Sequence, residues 1–385
     1  MSGIYLDYAA TAPLDPAVNE YMYEIGKDLF ANPSSLHSAG QRSKVLLERA
    51  RTLIAESISA HPAEIVFTSG GTESNNYAII GSALARRGSG NHLISSKIEH
   101  PSVLRSFHFL EEQGFNVSYL NIDENGQPDL NELENLLTDH TTLVSLMMVN
   151  NETGTIQPVR EVAAMLRPRD ILFHCDAVQA YGKLPLSVQT LGVDLLSLSA
   201  HKIYGPKGCG ALYIKKGFNP LKLLYGGAQE ADRRAGTENL CGIAGFAKAV
   251  EFIPGLLENV HKLLSLQTLF EMEILHRIPG CEINGRGAGR VPTHSNISFP
   301  DHSGESMLIN LDRHRIAVST GSACSSGSSK PSHVLQAMGL SEKRIKNAVR
   351  FSFGKQTSES DILETLKILT KLLNSRMRID MASEK

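Results

Sequence analysis

Short apolar runs alternate with helical patterns through the first two thirds of the chain. Runs at 64–67, 92–95, 116–120, 142–149, 170–175, 194–198 and 210–214 have the length and aliphatic content of strands. Helix-like stretches at 72–86, 101–113, 130–137 and 159–166 lie between several of them. An earlier helix is expected over 41–59, where Val45, Leu46, Leu47, Ala50 and Leu53 recur at helical spacing. The strands are continuously apolar rather than alternating. That pattern predicts burial on both faces, hence a largely parallel sheet of seven strands covered by helices.

Beyond about residue 240 the pattern changes. Stretches 240–252 and 256–278 read as helices, the second long enough to link two domains. An α+β region follows, with strands expected at 295–299, 317–320 and 348–352. An amphipathic helix over 358–377 carries Ile362, Leu363, Leu366, Ile368 and Leu369 on its apolar stripe. A large α/β unit and a smaller α+β unit result. The one compositionally biased stretch, STGSACSSGSS at 319–329, offers no side chain large enough to anchor it in a core.

Composition narrows the classes. Of 385 residues, 42% are apolar and 20% charged, ample for a sizeable core and unlike a disordered chain. With 38 basic against 40 acidic residues the formal charge is −2, so no global field draws in nucleic acid or an anionic membrane. Trp is absent and aromatics reach only 6%, which weakens any base-stacking role. No apolar run is long enough to span a bilayer, and the first residues show no secretory pattern. Five scattered cysteines (Cys175, Cys209, Cys241, Cys281, Cys324) suggest neither a disulfide framework nor a metal site. A cytoplasmic enzyme with no metal is the expectation.

The candidate chemistry sits at strand ends. In SAHKIYGPKG, Lys202 follows a buried strand and could offer an amine for a Schiff base, although a lone lysine is more often a solvated charge. In FHCDAVQ, Asp176 ends a strand where open α/β sheets bind ligands, with Gln179 one turn on; a helix-capping Asp is the plainer alternative. TSGGTESNN joins strand to helix through glycines and can leave N–H groups for a phosphate, with Thr72 and Ser69 adding hydroxyls. KIEHP places His100 past another strand, and VNNETG does the same for Asn151. Arrival of His100, Asn151, Asp176 and Lys202 at one sheet edge argues for a site more strongly than any one alone. Cys324 lies within the small-residue stretch, where a packing cysteine would find little to pack against.

These residues resemble the cysteine desulfurases of the NifS/IscS kind, pyridoxal-phosphate (PLP) enzymes of fold type I, the aspartate-aminotransferase fold. Ten blocks run in order along nearly the whole chain: YLDYAATAPLDP, NPSSLHSAG, EIVFTSGGTESNN, EHPSV, VNNETG, HCDAVQ, SAHKIYGPKG, RRAGTEN, GSACSS and VRFSFG. The resemblance implies that Lys202 carries the cofactor as a Schiff base, while Asp176 pairs with the ring nitrogen and Gln179 with the ring oxygen. It implies that His100 stacks on the ring and moves protons. Phosphate would fall to Gly71, Thr72, Ser199 and His201, with Thr237 reaching the phosphate of a neighbouring subunit in a homodimer. Asn151 and Arg350 would hold the carboxylate of L-cysteine, and Cys324 would take its sulfur as a persulfide, leaving L-alanine. The implied boundaries are a large domain over 14–255 and a small one formed by 1–13 and 256–385, which carries the cysteine loop at 319–331.

Two departures stand out: Thr320 where many relatives have Ser, and Cys209 where an aliphatic residue is usual. The long stretch after Cys324 resembles the group that passes sulfur to iron–sulfur scaffolds or tRNA-thiolating enzymes. A selenocysteine lyase or a class V aminotransferase is the rival enzyme, and Cys324 separates them because transamination needs no thiol. A partner-docking protein without chemistry is the rival outside enzymes; it would have no physical need for Lys202, Asp176, Gln179 and His100 together.

Overall fold

A computed structural model describes residues 3–321 and 331–383, with side chains through Leu373. Seven strands form the central sheet: Ile65–Thr68, His92–Ser96, Asn116–Leu120, Thr141–Met147, Leu172–Asp176, Leu195–Ser199 and Gly210–Ile214. Spatially, Ile65–Thr68 lies at one edge, followed by Gly210–Ile214, Leu195–Ser199, Leu172–Asp176, Thr141–Met147, His92–Ser96 and Asn116–Leu120. Only Gly210–Ile214 runs antiparallel to its neighbours. The remaining pairings are parallel. This is the expected fold type I sheet, with every strand end displaced by no more than two residues from its sequence reading.

Continuous apolarity has the anticipated cause. The four strands from Thr141–Met147 to Gly210–Ile214 are buried along their full length. Successive side chains enter opposite faces. Val144, Leu146, Phe173, Leu196 and Leu198 join one core, whereas Leu143, Leu172, Leu195 and Leu212 join another with Phe107 and Leu110. Helices Ser38–Ser57 and Leu240–Val250 cover the first face, and Pro101–Glu112 covers the second.

Several elements differ from the sequence reading. The stretch expected as one helix over 72–86 is interrupted: Gly71–Asn76 is α-helical, Tyr77–Gly81 is a π turn, and Ser82–Ala85 resumes the α form. Leu221 N–H donates to Gly81 O at the end of that turn. The expected linker helix 256–278 is two helices, Ile253–Glu258 and Val260–Arg277, breaking at Asn259. The strand expected at 317–320 is only Ile316–Ala317, paired in parallel with Ile4–Tyr5. Helix Pro16–Asp28 was not anticipated, although its signal is plain: Asp15 accepts from Ala17 N–H, and Pro16 occupies the first turn.

The C-terminal unit has its own core. Strands Glu282–Ile283, His294–Ser298 and Ala348–Ser352 form an antiparallel sheet under Val260–Arg277, Gly304–Arg313 and Glu359–Ser383. Phe270 sits edge-on to Phe351 at 4.9 Å and to Phe353 at 5.6 Å. The N-terminal segment packs here as well, since Leu6 lies in this core and Asp7 bridges to Ser352. Among the described residues no single helix is long and apolar enough to cross a membrane.

Two charged groups lie deep in the large unit. Arg51 donates to both carboxylate oxygens of Glu230, at 2.7 and 2.8 Å, and to Ile65 O, while Glu230 also accepts from Phe67 N–H. This pair ties the edge strand to residues 230–232, three consecutive positions in the left-handed region. Arg51→Met leaves the Glu230 carboxylate buried without its cation and should cost about 3–5 kcal/mol in urea unfolding.

Glu99 is fully buried, accepting from Ser96 Oγ and Met147 N–H. Burial pushes its carboxyl up to about 8. The folded state therefore keeps a proton that the unfolded chain gives up near its ordinary 4.5, so this contribution to stability falls from about pH 4.5 to about pH 8. Thermal melts of Glu99→Gln should show a flatter pH dependence across that window; an unchanged slope would assign the titration elsewhere.

Candidate active site

Because the sheet is covered on both faces, polar side chains gather beyond the carboxyl ends of its parallel strands. There, five loops enclose a cavity of ≈190 Å³. Gly71 and Thr72 reach it from the turn after Ile65–Thr68, His100 from the loop after His92–Ser96, and Asn151 from the loop after Thr141–Met147. Asp176 and Gln179 come from the end of Leu172–Asp176, and Ser199, His201 and Lys202 from the end of Leu195–Ser199. Nine of the twelve residues singled out in the sequence therefore line one cavity.

Lys202 Nζ donates to the carbonyls of Ala9 and Ala10, at 2.6 and 2.7 Å. The YLDYAAT segment thus belongs to the site through its main chain. Gln179 Nε2 donates to the same Ala9 carbonyl at 2.9 Å. Asp176 Oδ1 accepts from Val178 N–H at 3.0 Å in the turn that follows, and Oδ2 accepts from Asn75 Nδ2 at 2.7 Å beside the cavity. Asn75 also donates to Ser102 Oγ, which lies 2.8 Å from His100 Nδ1.

His100 caps helix Pro101–Glu112, its Nδ1 accepting from Ser102 N–H. That bond assigns the ring proton to Nε2 in the neutral form. Burial lowers the His100 pKa, helped by the positive charge of Lys202 and opposed by Asp176. His201, 3.1 Å from Thr11 Oγ1 through Nδ1, is driven to about 3 by burial and by Lys202, Lys207 and Lys183. Both rings are neutral near pH 7.

The donor set fits PLP. Ser199 Oγ is buried with no hydrogen-bond partner, and the helix starting at Gly71 has no side-chain cap, so its first N–H groups remain for an anion. A Cβ on Gly71 would lie 2.7 Å from Val178 Cγ2, so only glycine lets this turn close on the Asp176–Gln179 loop. Ser199, His201, Gly71 and Thr72 then gather donors suited to a phosphate, while Asp176 supplies an acceptor for a ring nitrogen and Lys202 an amine.

Arg350 and Thr237 do not line this cavity. Arg350 is 1% exposed; its Nη1 donates to Asn151 O and its Nη2 to Asp7 Oδ1, both at 2.9 Å. Its Nε is buried without a partner. Thr237 lines a separate cavity with Ser69, Arg234 and Glu238. Cys324 lies outside the described residues.

Sequence reasoning missed Asn75, Ser102 and the Ala9 and Ala10 carbonyls. Asn75 and Ser102 stand in blocks that had been singled out, but only the fold brings them against Asp176 and His100. It also missed Lys183, whose Nζ donates to Gln179 Oε1.

The comparisons with known proteins bear on the whole chain. The aminotransferase class-V family pattern matches residues 4–364. A cysteine desulfurase IscS of Dictyoglomus turgidum is 47% identical over 371 residues, covering 96% of this chain and 94% of the relative. Among solved structures, a NifS-like protein superposes with a TM-score of 0.91 at 35% identity, covering 97% of this chain and 99% of the other. The structure described as SspA in complex with cysteine gives a TM-score of 0.82 at 37% identity, covering 92% and 100%. Read with a cavity whose donors suit PLP, these likenesses place the chain in the class-V aminotransferase family, in its cysteine desulfurase branch.

Proposed function

We propose that this protein is a PLP-dependent cysteine desulfurase that moves the sulfur of L-cysteine onto Cys324 and releases L-alanine. The observation that carries the reading is the convergence of Lys202, Asp176, Gln179 and His100 on one cavity with an unpartnered Ser199 hydroxyl. When bound, the cofactor supplies an electron sink that acidifies the substrate α-proton and weakens its Cβ–S bond.

The chain's own residues do the rest. Lys202 would hold the cofactor through its amine, and its Nζ is the base placed to take the substrate α-proton. Asp176 would accept from the ring nitrogen and keep it protonated by a charge-assisted hydrogen bond. Gln179 Nε2 would donate to the ring oxygen. Gly71, Thr72, Ser199 and His201 would anchor the phosphate, and His100, with its proton on Nε2, would lie against the ring. Asn151 and the free Nε of Arg350 orient the substrate carboxylate; Asp7 and the Asn151 carbonyl hold that guanidinium in place.

In the net transfer the substrate C–S bond breaks, an S–S bond forms on the Cys324 sulfur, and a proton completes alanine. The nucleophile must be a thiolate. Burial pushes the thiols of Cys209 and Cys281 up to about 12 and holds that of Cys175 well above its ordinary value, which disfavours all three as acceptors.

The same reading divides the chain into 14–255 and 1–13 with 256–385, supported by the two separate cores. It makes the protein a homodimer in which Thr237 serves the partner's phosphate, supported by its position beside a different cavity from that of Lys202. It places the protein in the cytoplasm, with an iron–sulfur scaffold or a tRNA-thiolating enzyme taking the persulfide.

Alanine release from L-cysteine with a reducing thiol tests the chemistry. Lys202→Ala should lower turnover by roughly 10³-fold or more. Cys324→Ala should lose turnover while still binding PLP; full turnover in that variant would favour a lyase or aminotransferase. Thr237→Ala should weaken PLP binding in a species that sediments as a dimer, and a monomer with wild-type affinity would overturn the shared phosphate site.

A further inference from the structure

Lys183 follows Gln179 by one helical turn. Residues 177–184 wind through Tyr181 N–H to Ala177 O and Leu184 N–H to Ala180 O, so positions 179 and 183 face the same way. Lys183 Nζ donates to Gln179 Oε1 at 2.6 Å. It also lines a small cavity of ≈30 Å³ shared with Tyr8, Lys202, Tyr204 and Thr293, so the two lysines border one space.

The orientation of the Gln179 amide is forced from both ends. The Ala9 carbonyl can only accept, so the atom 2.9 Å from it is Nε2. Oε1 must then face the other way, where it needs a donor; Lys183 is that donor. The same Ala9 carbonyl accepts from Lys202 Nζ, which sets the Gln179 N–H group beside the amine that would carry the cofactor.

We propose that Lys183 is a positioning residue for the cofactor: by donating to Gln179 Oε1 it commits the Gln179 amide to present N–H, not C=O, to the ring oxygen of a cofactor held at Lys202. This rests on the cofactor reading above. A free side-chain amide can turn over and offer either end, and an acceptor facing an anionic ring oxygen would repel it. Burial and the positive charges of Lys202 and Arg350 lower the Lys183 pKa well below its ordinary value, and His294 beside these cations is held neutral. The orienting bond tolerates this, because a lysine amine donates in either protonation state.

The test reconstitutes apoprotein with PLP and follows both the dissociation constant and the visible band of the Lys202-bound cofactor. Lys183→Met should loosen PLP about tenfold, the order of one lost hydrogen bond, and move the band. Lys183→Gln, which keeps a donor without the charge, should restore both readouts. In a Gln179→Ala background Lys183→Met should add nothing, because Lys183 acts through that amide. Equal loosening in both backgrounds, or Lys183→Gln as impaired as Lys183→Met, would overturn the proposal.

Should Lys183→Met melt below the assay temperature, the isosteric pair Lys183→Gln and Lys183→Glu replaces it. Retained affinity in the first and loss in the second is expected, and equality would overturn the orienting role. A wild-type band that persists in Lys202→Ala would instead remove the cofactor reading beneath it.

Discussion

A parallel sheet buried on both faces cannot carry polar side chains along its length without stranding them in apolar surroundings. Polar side chains in the middle of the buried strands are paired internally, as His174 is with Ser145 and Ser197. Everything destined for chemistry is displaced to the strand ends. Five loops there face one another across a single cavity because their strands share a direction or, for Ile65–Thr68, end at the same edge as Ser199 and Gly210. The site is in this sense a product of the sheet's burial.

Desolvation then sets the electrostatics of the site. His100 and His201 are both neutral because enclosure and neighbouring cations penalise the imidazolium. Lys202, Lys183 and Arg350 bring positive charge close together, while Asp176 and Asp7 supply the opposing carboxylates. A phosphate and a substrate carboxylate are the kinds of ligand such an excess of donors accommodates. Main-chain carbonyls meet the remaining demand, as Ala9 and Ala10 do for Lys202.

The two units meet through the N-terminal segment. Leu6 packs in the C-terminal core, Asp7 pairs with Arg350, and Ala9 accepts from Lys202 and Gln179 of the large unit. Within six residues the chain touches the second core, the proposed carboxylate-binding arginine and the amine. That is why a segment with little secondary structure of its own reads as a distinct block in the sequence.

Much of the fold was legible because local and global preferences agree. Uninterrupted apolar runs such as LVSLM can be satisfied only by burial on both faces, so seven strands and a largely parallel sheet followed from pattern alone. Motif order along the chain carried the family, and position after a strand marked His100, Asn151, Asp176 and Lys202. What the sequence could not determine are contacts between residues far apart in the chain. Asn75 bonds to Asp176 across 101 positions and Lys202 to Ala9 across 193. The break at Asn259 and the π turn at Tyr77–Gly81 were also invisible, because periodicity reports which face is apolar and not whether the helical ladder is continuous. Nothing local marks Lys183 in the sequence: only the tertiary structure closes its surroundings and turns its amine toward the Gln179 amide oxygen.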